Sequence, residues 1–150
     1  MIHIDILPDF KRMFMPDILE RAAQAVLVQQ AGPDADLTLV LTGDSQIQAL
    51  NREYLAKDAP TDVLSFPANE IDPETGRPYL GDVIISIPQA EAQAIAAGHS
   101  LDAELTLLVV HGTLHLLGHD HAEEKEKAGM WAAQSEILTR LGISPTIVHE

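Results

Sequence analysis

Apolar residues alternate at the start of the chain, with Ile2, Ile4 and Ile6 on one side. A period of two predicts a strand over Met1 to Leu7. Pro16 fits the first turn of a helix, where its missing N–H costs nothing. Ile18, Ala22, Ala25 and Val26 then share one helical face, and Gly32-Pro33 closes that segment. Leu37, Leu39 and Leu41 predict a second strand over Asp36 to Thr42. Asp44 is the expected N-cap of the next helix. Ile47, Leu50 and Tyr54 follow at helical spacing, and Asp58-Ala59-Pro60 breaks the helix.

Val63 to Phe66 and Val83 to Ile87 are short apolar runs that predict buried strands. Between them, Asn69 to Pro78 is rich in Asp, Glu, Gly and Pro and predicts a surface loop. The alanine-rich stretch Pro88 to Ala97 predicts a helix ending at Gly98. Ser100 is placed to cap another, with Asp102 and Glu104 complementing its amino-terminal dipole. From Leu105 to Leu117 that helix is apolar nearly all round, which assigns it to the core, and Gly118 is its natural stop. A last helix runs from about Glu123 to Leu141, with Trp131, Leu138 and Leu141 on its inner face and a charged, solvated first turn. The order of elements predicts an α+β fold: a single domain over residues 1–150, with a mixed four-stranded β-sheet packed with about five α-helices.

Composition narrows the class. The chain has 150 residues, 46% of them hydrophobic, which suits one domain with a sizeable core. The absence of cysteine excludes disulfides, thiolate zinc sites, iron–sulfur clusters and a cysteine nucleophile. No apolar run is long enough to span a bilayer, and the amino terminus lacks a basic segment followed by an apolar one. A soluble cytoplasmic protein without a membrane partner is expected. Acidic residues outnumber basic ones 23 to 9, for a formal charge of -14. That balance argues against broad attraction to nucleic acid but leaves room for a local basic patch.

The chemistry concentrates in eleven positions, His111-Gly-Thr-Leu-His115-Leu-Leu-Gly118-His119-Asp120-His121, which hold four of the seven histidines. His111 and His115 are four apart on a predicted helix, so their imidazoles lie on one face and can reach one ion at ~2.0–2.1 Å. Gly118 lets the chain turn back, so that His121 can supply a third nitrogen. Three protein ligands leave a fourth position open, the mark of a catalytic zinc site. Three imidazoles also suit nickel, copper or iron. A lone buried histidine is usually a hydrogen-bonded core residue, but two at this spacing in an apolar helix each need a polar partner. His119 points elsewhere by spacing. Asp120 has three available roles: hydrogen bonding to a ligand histidine, acting as a general base, or sitting as a loop carboxylate. The H-E-x-x-H motif of zinc proteases carries its general base where this chain has Gly112.

H-G-x-L-H-L-x-G-x-D-H resembles the signature of the YbeY endoribonucleases. Two further blocks agree in order and spacing: Leu50-Asn51, Tyr54, Asp58 and Pro60-Thr61-Asp62-Val63-Leu64-Ser65-Phe66-Pro67, then Leu80-Gly81-Asp82-Val83-Ile84-Ile85-Ser86. The resemblance spans residues 50–121. It implies one Zn2+ ion per chain, held by His111, His115 and His121. It also implies metal-dependent cleavage of single-stranded RNA, in small-subunit ribosomal RNA maturation and ribosome quality control. The implied partners are ribosomal RNA and components of the small subunit; DNA is not expected. Many family members have an arginine directly after the tyrosine of the second block, where it is linked to RNA cleavage; this chain has Leu55. Arginine there would bind phosphate and stabilise developing charge, and leucine does not. Lys57 and Arg52 are the nearby cations available instead, and Lys57 joins Asp120 as a candidate catalytic residue. Thr61 and Asp62 read first as turn residues at a strand entrance. Gly81-Asp82 reads as a tight strand entry. Two rival functions follow from the same residues: a metallohydrolase of another substrate class, weakened by Gly112, and a non-enzymatic metal-bearing assembly factor, suggested by Leu55 and the acidic surface.

Overall fold

The structure is a computed structural model that describes residues 2–14, 16–30, 34–118 and 124–143. Its elements are β1 (Ile2–Ile6), α1 (Pro16–Gln30), β2 (Asp36–Thr42), α2 (Asp44–Leu55), β3 (Val63–Ile71), β4 (Pro78–Ser86), α3 (Ile87–Ala97), α4 (Leu101–Leu116) and α5 (Glu124–Arg140). The four strands form one sheet in the order β1-β2-β4-β3. β1, β2 and β4 run parallel, and β3 pairs antiparallel with β4 at the sheet's edge. This is the expected α+β fold with a mixed sheet and five helices.

Strand alternation divides the apolar residues between two faces. Leu37, Leu39, Leu41, Val83 and Ile85 join α1, α4 and α5 in the main core. Ile84 and its cross-strand partner Leu64 face the other way and pack against Ile47 of α2. α4 lies in the main core, and Leu105, Val109, Val110 and Leu114 are fully buried. The all-round apolar pattern of that helix is therefore a consequence of its central position. Among the described residues no helix is long and apolar enough to cross a membrane.

Local signals explain most boundaries. Ser100 caps α4 by accepting a hydrogen bond from the Ala103 N–H, and Gly98 ends α3 in the left-handed region. The structure departs from the sequence reading in four places. The loop expected over residues 69–78 is shorter: the β3–β4 ladder continues to Ile71 and Pro78, leaving 72–77 as the turn. Gly43, not Asp44, occupies the N-cap of α2. The Asp44 carboxylate instead accepts hydrogen bonds from Ser86 Oγ (2.7 Å) and Gln89 Nε2 (3.3 Å), which ties α2 to the start of α3. Trp131 is only half-buried, with Lys127 Nζ 4.4 Å from its ring centre. The inner face of α5 is formed by Met130, Ala133, Gln134, Ile137 and Leu138.

The fourth departure concerns Gly81-Asp82, which sits inside β4 and not at its entry. At Gly81 φ is +134°, and a Cβ would stand 2.2 Å from the Phe66 carbonyl oxygen across the ladder. Only glycine permits that approach. Asp82 accepts a hydrogen bond from the Tyr79 hydroxyl, which also bonds Thr38 Oγ1 at 2.7 Å. Burial and the adjacent carboxylate push the Tyr79 phenol above its ordinary pKa, so it stays a neutral donor. Asp82 is thus engaged within β4, orienting the Tyr79 hydroxyl that reaches Thr38 on β2.

Candidate metal centre and its cleft

α4 presents His111 and His115 from successive turns on the one side that is not fully buried. Their Nε2 atoms are 3.2 Å apart, and their rings meet edge to face with centroids 4.7 Å apart. Two nitrogens bound to one tetrahedral ion at ~2.0–2.1 Å stand about 3.3 Å apart. The pair therefore has the separation that a shared ion requires. Among the described residues no third His, Cys, Asp or Glu joins it. His119, Asp120 and His121 lie outside the described residues.

The orientation of His111 is set from another helix. Its Nδ1 lies 3.0 Å from Gln134 Oε1 on α5. An amide oxygen accepts, so this contact favours the proton on Nδ1, with Nε2 accepting from His115 Nε2 at 3.2 Å. Gln134 is 1% exposed. The sequence reading did not single it out. Its signal was a glutamine inside the apolar stripe Met130, Ala133, Ile137 and Leu138, where a buried amide needs a partner.

α4 is pressed against the sheet at the residue after His111. A Cβ on Gly112 would stand 2.5 Å from Val83 Cγ1 and 3.2 Å from both Val63 Cγ2 and Ser65 Oγ. Ser65 Oγ donates to the Gly112 carbonyl at 2.9 Å, fastening β3 to the helix at the level of the histidines.

The histidines open into a cleft of about 470 Å³ that runs along β3, the outer strand of the sheet. Leu107, Leu108, His111 and His115 form one wall. Leu55, Lys57, Thr61 and Asp62 form the other, with Val63, Leu64, Ser65 and Pro67 between them. Lys57 reaches this wall because α2 ends abruptly. Ala56 takes a left-handed conformation (φ 57°), and the Lys57 N–H bonds the Asn51 carbonyl at 3.2 Å. Asn51 Nδ2 also donates to the Ala59 carbonyl at 2.9 Å, which holds the loop that follows. Arg52 does not line the cleft; its guanidinium lies 3.8 Å from Asp58 on the exposed side of the same turn. Asp62 has the turn role read from its position, accepting from the Val63 N–H at 2.8 Å and from Thr61 Oγ1 at 3.3 Å. Its other oxygen accepts from Gln93 Nε2 at 3.3 Å.

Fold and site together define an α+β protein with two histidines 3.2 Å apart in an edge-strand cleft. The family model described as endoribonuclease YbeY matches residues 8–142. An endoribonuclease YbeY of Halalkalibacterium halodurans is 42% identical over 150 residues, covering 95% of this chain and 93% of the relative. One from Pelotomaculum thermopropionicum is 47% identical over 131 residues, covering 85% and 86%. A solution structure of a Thermotoga maritima protein shares the fold with a TM-score of 0.60 at 24% identity, covering 95% of this chain and 92% of that one. The chain belongs to the YbeY endoribonuclease family.

Proposed function

We propose that this protein is a zinc-dependent endoribonuclease that cuts single-stranded RNA, with a role in small-subunit ribosomal RNA maturation and ribosome quality control. The observation that carries the reading is the His111–His115 pair, at ion-sharing distance in a cleft that also holds Lys57, in a chain of this family. His111, His115 and His121 are assigned as the metal ligands. A zinc ion held there would supply Lewis acidity toward a phosphodiester oxygen.

The remaining work falls to the chain's own groups. Lys57 would hold the phosphate against the cleft wall through its ammonium, a point charge with three donors. Asp120 is assigned to orient a ligand histidine or to move a proton. A peptidase reading loses its footing at Gly112, where no side chain fits. The test is a labelled single-stranded RNA incubated with zinc-loaded and with chelated protein. Cleavage by the loaded form alone is expected. A fully loaded protein that leaves RNA intact would favour the assembly-factor reading instead.

Leu55 gives a second handle on the same reaction. It is 50% exposed and lines the cleft, so an arginine there would reach phosphate without displacing core. Leu55→Arg is expected to raise kcat/KM for single-stranded RNA by roughly 10–100-fold, below the full value of a charge-stabilising donor because Lys57 already contributes. It should also steepen the loss of RNA affinity with salt by about 0.7 in log–log slope, one added phosphate contact. Paired turnover and salt-titration measurements read both effects.

A further inference from the structure

We infer that Gln134 is a positioning residue that fixes the tautomer of His111 and thereby sets the protein's affinity for its divalent ion. This rests on the assignment of His111 as a ligand made above. Gln134 is buried on a different helix, and its acceptor oxygen is directed at the Nδ1 of His111, the nitrogen that does not face His115. A neutral imidazole carries one proton. If it sits on Nε2, the nitrogen facing His115 is blocked and must be stripped before a metal can bind. If Gln134 draws it to Nδ1, His111 offers its Nε2 lone pair, and the proton that has to leave is the one His115 Nε2 donates across the 3.2 Å contact.

The chemistry of the partner makes the inference specific. A carboxylate in this position would fix the same tautomer and also donate more charge through the ring. Gln134 supplies the orientation without the charge. The neutral amide therefore holds His111 ready while leaving ion affinity below what the site could reach. It also avoids burying an anion beside the histidine pair in the metal-free protein.

The prediction separates three proteins. The metal-free wild type should show His111 as the Nδ1–H tautomer in imidazole nitrogen NMR. Gln134→Met keeps the shape of the side chain but removes the acceptor. It should lose that tautomer preference and bind zinc roughly 10–100-fold more weakly in chelator competition. Gln134→Glu should keep the Nδ1–H tautomer and bind zinc at least as tightly as the wild type. A folded Gln134→Met with unchanged tautomer and unchanged zinc affinity overturns the inference. An Nε2–H tautomer in the wild type does so as well, and needs no variant to fold. If the wild type binds no zinc while its His111 tautomer follows Gln134, the metal assignment fails and the positioning role of Gln134 stands.

Discussion

His115→Ala is expected to abolish RNA cleavage and zinc retention together while leaving the fold intact. The side chain is half-buried at the cleft, so its truncation removes little packing. What it removes is one of the two nitrogens that stand 3.2 Å apart. Lewis-acid stabilisation of a phosphoryl oxygen is worth several kcal/mol, so turnover should fall by about 10³-fold or more. With the ligands proposed above, zinc content of the purified variant should fall to a small fraction of the wild-type value. His3→Ala, on an exposed position of β1, should change neither quantity. His111→Ala should match His115→Ala, and the double variant should be no worse than either, because residues acting as one unit are not additive. A His115→Ala protein that still cuts RNA at the wild-type rate would remove the pair from the mechanism.

Gly112→Ala should destabilise the protein although it replaces glycine in the middle of a helix. Helix propensity alone favours the change by about 1 kcal/mol. The new Cβ, however, would meet Val83 Cγ1 at 2.5 Å, and Val83 is fully buried. Overpacking a tight core costs about 1–3 kcal/mol, so packing outweighs propensity. The melting temperature should fall by roughly 2–6 °C for a chain of this size. Gly112→Glu adds a carboxylate with no room and no partner, and the expected outcome is an insoluble or unfolded chain. Trimming the obstacle tests the cause: Val83→Ala combined with Gly112→Ala should be less destabilising than the sum of the two single changes. Strict additivity would place the effect elsewhere.

The parts of this structure governed by near neighbours in sequence were legible before folding was considered. The alternation in β1 and β2, the Ser100 cap and the helical spacing of His111 and His115 are all short-range features. What escaped depends on residues far apart in the chain. The hairpin extends through acidic and turn-forming residues because Glu70 and Ile71 pair with Tyr79 and Pro78, a gain that local composition does not register. Asp44 has the chemistry of an N-cap, but its carboxylate is used by Ser86 in a different element. Gly81-Asp82 shows its purpose only once Phe66 and Tyr79 are placed beside it. Gln134 acquires a role only when α5 is laid against α4. Of the candidate site, the histidine pair follows from its helical spacing, and Lys57 lines the same cleft because of how the loop after α2 is held.

The contact at Gly112 also limits which residues the helix can carry there. A zinc-protease site places its general base on the helix residue that follows the first ligand. Here that residue lies against Val83, Val63 and Ser65 from two strands, so a glutamate could enter only after the sheet had receded. A side chain at this position therefore requires a compensating change in Val83 or its neighbours on the sheet. The spacing between helix and sheet thus restricts what the position after His111 can become.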